Sequence, residues 1–147
     1  MEKIMIVDDD ITNLAIAKAI LEPDYEIVTA QSGVQALGYL EKGSLPALIL
    51  MDVIMPGLSG IDVLKVLKRT PHLNEIPVLF LSGMEGIDVE LEGFKNGAED
   101  FLEKPLNAEL LKIKIAHYLR IQRLKQENQR LFSRLVRIKA QLISIVG

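Results

Sequence analysis

The chain has 147 residues, 49% of them apolar and 25% charged, with a net charge of −3; that is the composition of one globular domain with something to spare. It contains no cysteine, which excludes a disulfide framework and a thiolate metal site. The opening MEKIMIVDDD lacks a basic segment and a long apolar run, so no signal peptide is expected, no stretch is apolar enough to cross a bilayer, and the cytoplasm is the expected compartment.

The first strand is expected over Lys3–Val7, a short run of branched apolar residues. Leu14, Ala17 and Leu21 are spaced as one helix face, which gives a helix over Ile11–Leu21 that stops before Pro23. Tyr25–Ala30 reads as a strand and Val34–Leu40 as a helix ending at Gly43. Ala47–Met51 is a wholly apolar strand, followed by the turn MPGLSG and a helix in IDVLKVLKR. Pro77–Leu81 is a fourth strand, Asp88–Lys95 a helix with Asn96-Gly97 as its stop, and Glu99–Glu103 a last short strand. A final helix starts after Lys104-Pro105. Five strands alternating with helices, the central ones apolar throughout, predict a parallel sheet covered on both faces. In such sheets function collects beyond the carboxyl ends of the strands.

Those ends carry chemistry. The first strand runs into Asp8-Asp9-Asp10, the third into Asp52, the fourth into Ser82-Gly83, and the fifth into Lys104-Pro105. Carboxylates converging on one rim repel each other unless a cation neutralises them. Oxygen donors with room for water suit Mg²⁺. A lysine at the same rim offers a mobile positive charge for phosphoryl oxygens, and a serine hydroxyl a further donor. Asp10 is read as a helix N-cap. His72, in TPHLNEIP, is expected in a loop, and neither it nor His117 has the setting of a phosphohistidine.

With Asp8-Asp9, Asp52 followed by MPGLSG, Ser82-Gly83 and FLEKP in this order, the chain resembles the receiver domain of two-component response regulators over roughly residues 1–120. The resemblance implies a flavodoxin-like α/β fold: a doubly wound, five-stranded parallel sheet of order 2-1-3-4-5. It implies that Asp52 is the phosphoacceptor, supplied by a histidine kinase or phosphotransfer protein. Asp8, Asp9, Asp52 and the backbone carbonyl of Ile54 would hold Mg²⁺. Ser82 and Lys104 would engage the phosphoryl group, and Phe101 would be the switch aromatic that turns inward with Ser82. The only catalysis implied is of the domain's own phosphorylation and dephosphorylation. Three positions depart from the common pattern in two ways. Phe101 lacks the hydroxyl of the frequent tyrosine, and Ile54 and Met84, at positions that tune phosphoryl lifetime, are both apolar. The competing reading is a dimeric interaction module that no longer depends on phosphate.

The tail differs from the body. Residues 107–147 carry nine Lys/Arg and two Asp/Glu, net +7, against net −10 for residues 1–106. From Leu106 there is no Gly or Pro until Gly147, so an extended C-terminal helix is expected. Ile121, Asn128, Leu135 and Leu142 fall at heptad a; Leu124, Leu131, Ile138 and Ile145 fall at d. A lone Asn at a fixes register and favours a parallel two-stranded coil. Arg120 against Lys125 and Arg134 against Lys139 oppose it, weakly. Residues 121–147 are thus expected to form a homodimeric coiled coil; the alternative is an amphipathic helix lying back on the acidic body. The basic residues are interspersed among the heptads rather than grouped ahead of them, which argues against a nucleic-acid role. A helix of this kind points to a downstream output domain in a longer protein, or to a regulator whose own dimer is the output.

Overall fold

A computed structural model describes residues 1–146 of the chain. The strands are β1 (Lys3–Val7), β2 (Glu26–Ala30), β3 (Leu48–Asp52), β4 (Val78–Ser82) and β5 (Asp100–Glu103). The helices are α1 (Ile11–Leu21), α2 (Gly33–Lys42), α3 (Gly60–Arg69), α4 (Ile87–Lys95) and α5 (Ala108–Val146). All strand pairs are parallel, as expected from the apolar central strands, and the order is β2-β1-β3-β4-β5, the one the resemblance implies.

Period-two alternation sorts the strand residues onto two cores. Met5, Val7, Ile49, Met51, Val78 and Phe80 face α2 and α3, with Ala36, Leu40, Leu64 and Leu67 packed on them. Ile4, Ile6, Leu48, Leu50, Leu79 and Leu81 face α1 and α5, meeting Leu14, Leu21, Leu111, Ile115 and Leu119. Every residue of β3 and β4 is buried, so these strands have no solvent face.

The strand order reverses between β1 and β3, which leaves a crevice at their carboxyl ends. The register pairs Val7 with Met51, so Asp8 and Asp52 emerge side by side. Asp52 and Ser82 prove to be the last residues of their strands rather than the first beyond them. The ladder continues one step further than the apolar run, pairing Asp52 with Leu81 and Ser82 with Glu103. The helix starts are well capped. Asp10 accepts from the Thr12 and Asn13 amides, as its position predicted, and Ser59 and Asp62 form a capping box at α3.

α5 is a single helix of 39 residues. Leu111, Ile115 and Leu119, one turn apart, fasten its first half to the sheet. From Ile121 onward no described residue is buried, so the second half does not lie back on the body. The a and d side chains Leu124, Leu131, Leu135, Ile138, Leu142 and Ile145 are all exposed. The base of this projecting half is steadied by polar contacts: the Gln122 amide reaches the Glu75 carbonyl at 3.0 Å, the Gln129 amide reaches the Glu75 carboxylate at 3.2 Å, and Arg123 pairs with Glu2. No helix among the described residues is long and apolar enough to cross a membrane.

Candidate functional site

The crevice gathers the acidic residues expected there. Carboxylate oxygens of Asp8, Asp9 and Asp52 lie within 4.8 Å of one another. Asp8 is fully buried and Asp52 nearly so, while Asp9 is exposed. Backbone amides orient both buried groups: Asp8 Oδ1 accepts from the Asp10 amide at 2.9 Å, and Asp52 Oδ1 accepts from the Ile54 amide at 3.2 Å. Lys104 reaches in from beyond β5, its Nζ 2.9 Å from Asp52 Oδ2 and 3.4 Å from Asp8 Oδ2. It is followed by a cis Lys104–Pro105 bond.

Lys104 thus pairs with two of the three carboxylates, and Asp8 Oδ2 has no hydrogen-bond partner. Burial pushes the Asp52 carboxyl above its usual range and Asp8 pushes it further, while the Lys104 hydrogen bond pulls the other way. Burial lowers the Lys104 pKa, but Asp52 and Asp8 outweigh it and raise it overall. The cluster thus carries more negative charge than its own residues neutralise.

Ser82, also buried, does not point its hydrogen at Asp52; its hydroxyl donates to Glu85 Oε2 at 2.7 Å. Phe101 is half-buried, its ring 5.3 Å from that of Phe80 and 5.1 Å from that of Phe94. Ile54 and Met84 are exposed. His72 and His117 are exposed and stand away from the crevice on other elements.

A model of the response regulator receiver domain family matches residues 4–116. The chain belongs to that family. It is 37% identical over 110 residues to the response regulator PleD of Caulobacter vibrioides, which covers 74% of this chain and 24% of PleD. It is 35% identical over 130 residues to the transcriptional regulatory protein CpxR of Escherichia coli, covering 88% of this chain and 54% of CpxR. Both relatives are much longer than this chain. A response regulator receiver domain protein from Clostridium thermocellum has the same fold, with a TM-score of 0.76 and 32% identity over 84% of this chain and 98% of that one.

Sequence reasoning passed over Glu85 and Gly93, which shape this receiver site, and read Gly60 only as a residue of the MPGLSG turn. Glu85 holds Ser82, and its only trace in the sequence is an acid three residues after a strand end. A Cβ on Gly93 of α4 would stand 2.6 Å from Phe101 Cζ, so the missing side chain makes room for that ring. A Cβ on Gly60 would stand 2.3 Å from the Asp52 carbonyl oxygen, so Gly60 does more than serve the turn. Both depend on contacts between elements distant in sequence.

The receiver core is coupled to α5 through β5. Lys114 pairs with Asp100 at 3.0 Å and reaches the Phe101 carbonyl at 3.4 Å. The Tyr118 hydroxyl donates to Asp100 Oδ2 at 3.0 Å, and burial, with that contact, pushes its pKa up to about 12. The residue flanking Phe101 is thereby tied to the base of the long helix.

Proposed function

We propose that Asp52 accepts a phosphoryl group from a histidine kinase or phosphotransfer protein, and that Ser82, Lys104 and Phe101 convert the event into a change at α5. The observation that carries this reading is the buried Asp52 carboxylate held by Lys104 inside an under-neutralised acidic cluster. Asp8, Asp9, Asp52 and the Ile54 carbonyl would hold Mg²⁺. The donor set fits that ion: hard oxygens, one of them the buried Asp8 Oδ2, which no hydrogen bond satisfies and which Lys104 approaches only to 3.4 Å. When bound, Mg²⁺ supplies Lewis-acid stabilisation of the phosphoryl oxygens.

The rest is work for this chain's side chains. An Asp52 oxygen forms the new P–O bond while the donor's P–N bond breaks, its electron pair returning to the imidazole. Lys104, already 2.9 Å from Asp52 Oδ2, is placed to exchange that partner for a phosphoryl oxygen. Ser82, at the end of the adjacent strand, donates a second hydrogen bond once it leaves Glu85. Phe101 then repacks against Phe80 and Phe94. Hydrolysis returns the aspartate, and the apolar Ile54 and Met84 offer no group to take a proton from the attacking water. The chemistry proposed for this chain is confined to that cycle at Asp52.

The test is direct. With Mg²⁺ and acetyl phosphate, the intact mass gains one phosphoryl group, and Asp52→Asn gains none. An adduct that survives the substitution sinks the assignment.

We further read residues 121–147 as a parallel coiled coil that makes the protein a homodimer and passes the change to an output domain of a longer protein or to the dimer itself. The exposed a and d side chains of α5 support this. Sedimentation should find the full chain dimeric and a chain ending at Arg120 monomeric with its helical and sheet signal intact. A full chain that stays monomeric at high concentration refutes the coil.

A further inference from the structure

The geometry points to Glu85 as a latch that holds Ser82 out of the reaction and must release it for phosphoryl transfer to proceed. The inference rests on Asp52 being the acceptor. A serine hydroxyl has one hydrogen to donate. Here it is given to Glu85 Oε2 at 2.7 Å, and a hydrogen so committed is withheld from a phosphoryl oxygen on Asp52. Acceptance by an ionised carboxylate makes the bond a strong one of its kind. Ser82 is buried and Glu85 half-buried, so the bond is shielded from water on the serine side.

Glu85 has nothing else to hold it. Among the described residues no ion pair engages its carboxylate, and Ser82 is its one hydrogen-bond partner. The carboxylate is placed by the latch itself.

Release has a second consequence. Glu85 immediately precedes Gly86, the N-cap of α4, which makes no side-chain cap hydrogen bond. The first amides of α4 lack a side-chain acceptor there, and a carboxylate is favoured at a helix N-terminus. When Ser82 turns to the phosphoryl group, the freed Glu85 carboxylate swings onto those amides. One hydrogen bond is exchanged for two: Ser82 to phosphoryl, and α4 to Glu85. The α4 helix, whose Gly93 and Phe94 touch Phe101, is drawn into the switch from its N-terminal end.

The experiment is a double-mutant cycle on the rate of adduct formation with Mg²⁺ and acetyl phosphate, read by intact mass. Glu85→Ala should accelerate the wild-type chain about tenfold, the weight of one charge-assisted hydrogen bond on a two-state equilibrium. In a Ser82→Ala background, Glu85→Ala should change nothing. Glu85→Gln, neutral but still an acceptor, should fall between the wild type and Glu85→Ala. Equal acceleration in both backgrounds means that the carboxylate only repels an anionic donor, and overturns the latch. So does a wild-type chain that phosphorylates while Glu85→Ala leaves its rate unchanged; there the acceptor assignment stands alone. A wild-type chain that takes no phosphoryl group overturns both. In the unphosphorylated chain, Ser82→Ala should shift the amide resonances of Ile87, Asp88 and Val89, and Glu85→Ala should cancel that shift. Unmoved resonances overturn the coupling to α4.

Discussion

In metal-free buffer at pH 7.5, Asp52→Asn should melt higher than the wild type, by about 3 °C for each kcal/mol of relieved repulsion in a domain of this size. Burial and Asp8 raise the Asp52 pKa in the fold above its unfolded value. A carboxyl shifted in that direction contributes stability below its unfolded pKa, and the contribution is lost as pH rises through the folded pKa. At neutral pH the ionised Asp52 weighs against the fold, with one lysine shared between it and Asp8 and a third carboxylate, Asp9, close by. Asparagine removes the charge and keeps the shape. The gain should be about 1 kcal/mol, because Lys104 loses its nearest partner in the same change. The gap between variant and wild type should narrow on acidification toward pH 4. Mg²⁺ should raise the wild-type melting temperature and leave the variant nearly unmoved. Calorimetric melts across pH, with and without Mg²⁺, check all three points. A variant less stable than the wild type in chelator at pH 7.5 contradicts the electrostatic account.

Gly60→Ala should cost about 3 kcal/mol of stability, or about 9 °C. The added Cβ meets the Asp52 carbonyl oxygen at 2.3 Å, Phe80 Cε1 at 2.8 Å and Val53 Cα at 3.0 Å. Two of those atoms are backbone and cannot step aside as a side-chain tip would. The chains are drawn together there by the Gly60 amide, which donates to the Val53 carbonyl at 2.7 Å. Any accommodation therefore moves the end of β3, and the rate of adduct formation at Asp52 should fall with stability. Gly38→Ala is the matched control. A Cβ there meets nothing within 4 Å, and alanine inside α2 should stabilise by about 0.5 kcal/mol. Urea midpoints for both variants decide it; equal effects would mean that the contact at Gly60 is not the cause.

The two substitutions also mark what a sequence makes legible. Asp52 could be read because its chemistry depends on a position relative to a strand end, and strand ends follow from apolar runs. The same holds for Asp8, Ser82 and Lys104 and for the parallel sheet; the strand order came only with the family resemblance. Gly60 could be read as a turn residue, but its closeness to the Asp52 carbonyl is a distance between two segments that only packing brings together. Glu85 is harder still. Whether a serine on a strand points its hydrogen at the acceptor or at a nearby acid is a choice of rotamer, and residue types do not encode it. The heptads of α5 were plain in the sequence. That Gln122 and Gln129 would both find Glu75, and so set the direction in which the helix leaves the body, was not.

That direction matters mechanically. Beyond Gln129, which still touches Glu75, the described helix continues for about 26 Å at 1.5 Å per residue without touching the body. A rod of that length works as a pointer. A tilt of about 5° at its pivot carries the far end sideways by about 2 Å over this span. The pivot is bracketed by the Tyr118–Asp100 contact on the side of the switch and by the Glu75 contacts on the other. A rearrangement around Phe101 of the kind proposed, too small to disturb the sheet, would be geared up along α5 into a larger displacement at its tip.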